Sequence, residues 1–324
     1  MSAAVPPRVD PGRGLSLRVT SKTPAADGVV ALTLTDPTGA RLPDWTPGSH
    51  IDLILPSGES RQYSLCGDRW DAHTYRVGVL REPGGRGGSA WIHDELAVGD
   101  LVGIGGPRNR FGLVPSSRYL FVAGGIGITP LLPMIAAADR LGTDWRLVYG
   151  GRTRGSMAFI DELAGHRDRV SVLPQDEHGL LPLADLLAEV DADTRVYCCG
   201  PAPLLDAVDD ACAHLPSQAL RTERFAAREQ GAPVRDTPFT VALGRTGTEV
   251  EVTPDITVLE AVRSAGVEVL SSCREGTCGT CETTVLAGDL DHRDSILDED
   301  GRAAGDCMFV CVSRSRGDRL VLDL

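Results

Sequence analysis

The chain has 324 residues, 42% hydrophobic and 24% charged, the balance of an ordinary globular protein long enough for two or three domains. Its formal charge of −13 argues against nucleic acid or an anionic membrane surface as a partner and permits docking onto a basic protein patch. No stretch approaches the roughly 18 consecutive apolar residues of a membrane span. The Pro- and Gly-rich start, Met1 to Gly14, lacks an apolar core of signal-peptide length, so a cytoplasmic protein with a loose N-terminal arm is expected.

Three blocks of different texture follow. In the first, residues 13–114, short alternating or β-branched runs lie at Leu15–Thr20, Val29–Thr35, His50–Leu55, Tyr75–Leu80 and Asp100–Ile104. Turn clusters such as Trp45-Thr46-Pro47-Gly48 separate them, which predicts an antiparallel sandwich or barrel, with one short helix at Ser89–Leu96. In the second, residues 115–226, strands at Tyr119–Ala123, Arg146–Tyr149, Val170–Leu173 and Arg195–Cys199 alternate with helices. The predicted helices are Pro130–Leu141, Ala158–Ala164, Leu183–Val190 and Ala202–Leu215, and the alternation implies βαβ units on a parallel sheet. Residues 227–237 are polar, with Gly231 and Pro233, and read as a flexible linker. The third block, residues 238–324, opens with a hairpin, Phe239–Leu243 and Glu249–Val252, about Arg245-Thr246-Gly247. A helix, Val258–Ala265, then ends at Gly266. From Asp236 to Leu324 there are 8 basic and 17 acidic residues, a net of −9, so most of the negative charge sits in the last quarter.

Nine cysteines, an odd number unevenly placed, do not form a secreted disulfide framework. Cys66, Cys198, Cys199 and Cys212 are scattered; five fall between Cys273 and Cys311. Cys273, Cys278, Cys281 and Cys311 have the spacing C-x4-C-x2-C-x29-C, the plant-type [2Fe–2S] ferredoxin pattern. Four thiolates must wrap one compact cluster, so three come from a single tight loop. Gly276 and Gly279 let that backbone fold close and aim amides at the sulfides. A zinc site is the alternative, but four-cysteine zinc sites usually use two separated C-x2-C knuckles and only one is present. Cys307 competes as fourth ligand. Met308-Phe309-Val310-Cys311-Val312-Ser313 resembles the last-ligand strand of such ferredoxins, which favours Cys311.

Gly124-Gly125-Ile126-Gly127-Ile128-Thr129-Pro130 follows a predicted strand and opens a helix, where a pyrophosphate can meet backbone amides. Glycines in such turns can equally serve packing alone. Cys199-Gly200-Pro201 marks a second strand-to-helix turn, and both lie at strand carboxyl ends, where open α/β sheets bind ligands. Together with Tyr149-Gly150-Gly151-Arg152, these phrases resemble the ferredoxin–NADP reductase superfamily. The resemblance implies pyrophosphate at Gly124, Gly125 and Gly127, and a nicotinamide near Thr129 and Cys199, with Arg152, Gly200 and Pro201 in the same site. The blander reading of Cys199 is a small buried hydrophobe. Arg152 and Arg154 stand where NADP enzymes often grip a 2′-phosphate, leaving NADPH open beside NADH.

Arg61-Gln62-Tyr63-Ser64 matches the superfamily's R-x-Y-S flavin motif. Arg61 can pair with a phosphate, Tyr63 can pack on the flavin, and the Ser64 hydroxyl can hydrogen-bond its N5. Val79, Leu80 and Arg81 lead to Gly84-Gly85-Arg86-Gly87-Gly88-Ser89, a loop with which the family holds the flavin phosphate. Gly106 to Phe111 resembles its G-P-x-x-x-F turn, and Phe225 is expected over the flavin. From about residue 13 onward the chain resembles the phthalate dioxygenase reductase group, which includes vanillate O-demethylase reductase. Arg61–Cys66, Gly124–Pro130, Ser272–Cys281 and Leu320–Leu324 look closest to the vanillate type.

That resemblance implies an FMN-binding antiparallel β-barrel, an NAD-binding α/β domain and a C-terminal β-grasp ferredoxin domain. It implies an NADH-dependent reductase, a monomer, passing electrons through FMN and the cluster to a Rieske oxygenase. Ser64, Thr129 and Cys199 would surround the hydride step. A hydride carries two electrons and a [2Fe–2S] cluster takes one, so a flavin that splits the pair accounts for three centres on one chain. A cytochrome P450 partner is the nearest alternative. A redox-sensing regulator, or a flavin hydrolase with structural zinc, is a rival from another class.

Overall fold

The computed structural model describes residues 15–324, apart from residues 167, 189, 192 and 217; the loose arm expected over residues 1–14 lies outside them. Six strands form the first sheet: β1 (Leu15–Ala26), β2 (Val29–Thr35), β3 (Ser49–Ile54), β4 (Ser60–Ser64), β5 (Thr74–Leu80) and, after helix α1 (Gly88–Asp94), β6 (Leu101–Asn109). Their order is β4-β3-β6-β1-β2-β5, all neighbours antiparallel. A bridge between Leu65 and Val77 joins the two edges, closing the barrel. Leu17, Val19, Leu32, Leu34, Leu53 and Val77 are fully buried within it, as a period-2 pattern with one face inward requires. Strand β4 was not anticipated as a strand: its sequence, Ser-Arg-Gln-Tyr-Ser, carries no apolar alternation.

The second sheet is parallel throughout, in the order β11-β10-β7-β8-β9. Its elements are β7 (Arg118–Gly124), α2 (Ile128–Arg140), β8 (Asp144–Gly151), β9 (Val170–Pro174), α3 (Gln175–His178), α4 (Leu183–Ala188), β10 (Thr194–Cys199), α5 (Ala202–Ala211) and β11 (Leu220–Glu223). Helix α2 begins at Ile128, two residues before the expected Pro130. Proline is tolerated there because first-turn amides have no partner inside the helix. The helix expected over Ala158–Ala164 is instead a 3-10 run, Ile160–His166; Phe159 enters it at φ +63, so helical backbone cannot extend back to Ala158. Helix α5 stops at Ala211, short of the expected Leu215. Tyr197 ties the sheet to the barrel's exit: its hydroxyl accepts from Val114 N (2.7 Å), donates to Gly112 O (3.1 Å), and its ring meets Phe111 edge-on at 5.4 Å.

Both sheets belong to one compact unit ending at Glu223; a second runs from Arg224 to Leu324. The second unit contains β12 (Phe239–Leu243), β13 (Glu249–Val252), α6 (Val258–Ser264), β14 (Glu282–Ala287), β15 (Leu290–Asp291), α7 (Glu299–Ala304), β16 (Cys307–Phe309), β17 (Arg314–Ser315) and β18 (Arg319–Leu322). Its mixed sheet runs β13-β12-β18-β14-β16, and β15 pairs with β17. Thr257 and Glu260 form a reciprocal capping box that starts α6, and Gly266, at φ +83, follows its end. Val258, Leu259, Ala261 and Val262 bury the helix against the sheet.

The segment read as a flexible linker is strapped to this unit. Arg228 N donates to Ser295 Oγ (2.9 Å), Val234 N to Asp291 Oδ2 (3.2 Å), and Arg235 pairs with Asp318 (2.7 Å). Two of these bonds come from backbone amides and reach partners 57 or more positions away, which composition cannot reveal. No helix among the described residues is long and apolar enough to cross a membrane.

Candidate active site and cluster loop

The two glycine turns meet at the carboxyl ends of neighbouring strands β7 and β10. A Cβ on Gly127 would lie 2.1 Å from the Cys199 carbonyl oxygen, and one on Gly124 would lie 2.6 Å from Leu204 and 2.7 Å from Pro201. A Cβ on Gly200 would lie 2.9 Å from Leu204 and 3.0 Å from Gly124 Cα. Close packing of the two turns calls for all three glycines, and at Gly127 every near atom is backbone. Gly125 differs: it has φ +54, and a Cβ there would meet nothing within 4 Å. Thr129, in the first turn of α2, is buried and its hydroxyl donates to Ile126 O (2.9 Å). Its methyl reaches the barrel, where a Cβ on Gly78 of β5 would meet it at 2.9 Å.

Ser64 ends β4 and Cys199 ends β10, and the two converge on one carboxyl group, that of Glu223. The Ser64 hydroxyl donates to Glu223 Oε2 at 3.5 Å and the Cys199 thiol approaches the same oxygen at 4.0 Å. Glu223 was not anticipated. It ends β11, an unpatterned Leu-Arg-Thr-Glu strand, and pairs in register with Cys199. Burial pushes its carboxyl up to about 8 and raises the Cys199 thiol as well, so at neutral pH the group is chiefly a proton-bearing acid among neutral neighbours.

A stability consequence follows. The unfolded carboxyl ionises near its ordinary value of 4.5 while the folded one keeps its proton to about 8. Stability from this residue is whole below the lower value and is lost progressively up to the higher one. Glu223→Gln should remove that slope. In urea unfolding, the variant should gain on wild type by a few kcal/mol between the acid and alkaline ends of this window; a difference that stays constant with pH would refute the assignment.

In the flavin block, Arg61 lies across the start of α1. A Cβ on Gly88 would sit 2.8 Å from its side chain, so only glycine permits the overlap. The guanidinium donates to Ser60 O (2.9 Å) and Arg86 O (3.4 Å) and pairs with Glu59 (3.2 Å). Gly87, at φ +82, precedes α1, and Ser89 Oγ accepts from Glu82 N (3.0 Å). Gln62 donates to Asp52 (2.8 Å). Tyr63 packs against the barrel core, where burial holds its phenol protonated, pushed up to about 12. Val79 points into that core with its carbonyl bonded to His93 (2.9 Å), Leu80 is partly buried, and Arg81 pairs with Asp94 (2.6 Å). Phe225 is 46% exposed at the start of the second unit.

Arg152 and Arg154 follow the end of β8, beside acidic helix α3. Asp176 N donates to Arg152 O (3.2 Å), and Arg154 faces Glu177 at 3.8 Å. A cavity of about 630 Å³ opens between β1, β2, β5 and the segment from Arg154 to Glu162. Arg76 crosses it to Glu162 in two bonds (2.9 and 2.7 Å) and covers the Phe159 ring. Of the residues singled out from sequence, only Arg154 lines it, so it is separate from the Ser64–Cys199–Glu223 site.

In the second unit Cys273, Cys278, Cys281 and Cys311 are all buried. Their thiols bear on one another: Cys278 and Cys273 shift each other in opposite directions, as do Cys281 and Cys311, and Cys273 also acts on Cys281 and Cys311. Glu275 N donates to Cys273 Sγ (3.3 Å), and Cys278 Sγ lies 3.1 Å from the Thr280 hydroxyl. Among the described residues no three His, Cys, Asp or Glu converge as a single metal ion would need. Four buried thiols, three from one tight loop and one from the turn that follows β16, in the spacing C-x4-C-x2-C-x29-C, fit a two-iron cluster. Gly276 and Gly279 have φ +71 and +75, as the wrapping loop requires. Cys307 is half-buried on β16 beside Glu282 and Asp306, and burial pushes its thiol up to about 11.

Residues 241–316 match the 2Fe-2S iron-sulfur cluster binding domain family. The chain is 45% identical to phenoxybenzoate dioxygenase subunit beta of Ectopseudomonas oleovorans, over 96% of this chain and 97% of that protein. A solved structure of phthalate dioxygenase reductase, described as modular for electron transfer from pyridine nucleotides to [2Fe–2S], is similar with TM-score 0.69 and 39% identity, covering 96% of this chain and 98% of that one. An intact type IV self-sufficient cytochrome P450 monooxygenase gives TM-score 0.92 and 44% identity, covering 99% of this chain; this chain spans 43% of its length.

Proposed function

The chain belongs to the phthalate dioxygenase reductase family of oxidoreductases, and from that premise we propose that it uses NADH, FMN and a [2Fe–2S] cluster to deliver electrons singly to a Rieske-type oxygenase. The observation that carries this reading is the convergence of Ser64 and Cys199 on Glu223, beside Thr129, where the barrel meets the carboxyl ends of the parallel sheet. When bound, the flavin accepts the electron pair of a hydride and the cluster takes electrons one at a time.

Arg61, Gln62, Tyr63, Ser64, Val79, Leu80, Arg81, Arg86, Gly87, Gly88 and Ser89 are assigned to the flavin. Gly124, Gly125, Gly127, Thr129, Arg152, Cys199, Gly200 and Pro201 are assigned to the nucleotide. Ser64 offers a hydroxyl, and Glu223 keeps a proton within reach of it. The buried walls exclude water from the reacting atoms. Cys273, Cys278, Cys281 and Cys311 are assigned to the cluster. Acidic helix α3 beside Arg152 and Arg154 disfavours a 2′-phosphate, which supports NADH over NADPH. In this reading the protein works as a cytoplasmic monomer. The 44% identity to a self-sufficient P450 favours a second reading, in which the same electron chain serves a cytochrome P450.

Acid extraction should release one FMN per chain, and iron analysis should find two irons. NADH should exceed NADPH in kcat/KM for ferricyanide reduction. Recovery of FAD, of zinc in place of iron, or an NADPH preference would each overturn the corresponding part. Oxygenase turnover supported by a purified Rieske component but not by a P450 separates the two partners.

A further inference from the structure

The charged run Asp291-His292-Arg293-Asp294-Ser295 takes no part in the site described, yet it is largely interior. The His292 and Asp294 side chains are 8% and 0% exposed. The run also abuts the cluster loop. Ser295 N donates to Gly276 O (2.9 Å), and a Cβ on Gly276 would lie 3.0 Å from Asp294 Cα; Gly276 stands between Cys273 and Cys278. On the other side Arg293 N donates to Ser313 Oγ (3.2 Å), two residues past Cys311.

Asp294 Oδ2 accepts from Ile296 N (3.0 Å) and Leu297 N (2.8 Å). Its Oδ1 has no hydrogen-bond partner among the described residues, and neither ring nitrogen of His292 makes a well-formed bond there. His292 Nδ1 faces Asp294 Oδ1 at 3.8 Å. Buried polar atoms left unsatisfied are uncommon and call for a reason. Protonation of His292 supplies one, because imidazolium and carboxylate then complete an ion pair already aligned.

We propose that His292 and Asp294 form a proton-holding pair beside the cluster loop that couples cluster reduction to proton uptake. In the reduced protein His292 would hold one proton more than in the oxidised protein, taken from water on reduction and returned to water on reoxidation. This rests on the reading that the four cysteines hold a [2Fe–2S] cluster. Around the imidazole stand Asp294 from its own segment, Arg302 of α7 and Arg316 beyond β17. Arg302 itself donates to Asp294 O (3.0 Å) and Leu297 O (3.2 Å). Burial foremost, with the charges of both arginines, holds the imidazole below its ordinary value, while Asp294 and a long backbone contact at Arg302 pull it up. The oxidised protein thus keeps His292 neutral at pH 7, and negative charge added nearby favours its protonation in a low-dielectric interior.

The test is the cluster's midpoint potential in the full-length protein, followed by EPR between about pH 5 and pH 8. The midpoint should rise on acidification. One proton per electron is a tenfold change in equilibrium constant per pH unit, about 59 mV for a one-electron couple. His292→Gln should flatten the dependence. Asp294→Asn, which keeps an oxygen for the Ile296 and Leu297 amides, should move the rise to lower pH. A pH-independent wild-type midpoint, or a His292→Gln slope equal to wild type, overturns the proposal. If a variant loses its cluster, the wild-type slope alone decides. Absence of any [2Fe–2S] signal in wild type would instead overturn the underlying functional reading.

Discussion

Cys311→Ser should bleach the cluster and stop one-electron delivery while NADH-dependent ferricyanide reduction continues. In the proposed reading the first step needs only the unit that ends at Glu223, and the outlet needs all four thiolates. Losing an outer partner of a metal ligand costs roughly 10–100-fold, so loss of a ligand itself should lower cytochrome c reduction by more than that. Cys307→Ser is the control. Cys307 lies on β16 beside Glu282 and Asp306, and its loss should leave the visible spectrum unchanged. A bleached Cys307 variant with an intact Cys311 variant would show that the fourth ligand has been assigned to the wrong residue.

Gly127→Ala should damage the hydride step from within the first unit. The added methyl would lie 2.1 Å from the Cys199 carbonyl oxygen and 2.4 Å from its carbon. Both are backbone atoms, so no side chain can swing away and either α2 or the end of β10 must shift. Such overpacking costs about 1–3 kcal/mol, occasionally more. The shift would also separate Thr129 from Cys199, and a misplacement of about 1 Å can cost on the order of 10²-fold in rate. Ferricyanide reduction by NADH should fall by about that factor, with the iron–sulfur spectrum intact. Gly125→Ala meets nothing and pays only for its positive φ, about 1–2 kcal/mol. It should raise KM for the nucleotide more than it lowers kcat. Equal kcat/KM for Gly127→Ala and wild type would mean that this contact does not position the site.

The sequence alone determined what is local. The cysteine loop was legible because three of its ligands fall within nine residues and a wrapping loop needs glycine between them, as Gly276 and Gly279 show. The parallel sheet was legible because βαβ units repeat the same alternation, and the hairpin and capped helix of the second unit carry their signals in adjacent residues. What remained hidden depends on residues far apart in the chain. Strands β4 and β11 lack apolar alternation, yet they deliver Ser64 and Glu223 to one point. Glu223 could have been found only by knowing that β11 lies next to β10 with Cys199 opposite it, a fact of sheet order rather than of spacing. The linker looked free because its backbone amides at Arg228 and Val234 find partners 57 or more positions away. Spacing fixes which atoms can meet within one loop or helix turn. Which strands become neighbours, and in what register, is settled by burial of the whole core, and it is there that a lone glutamate becomes a proton-bearing member of a site.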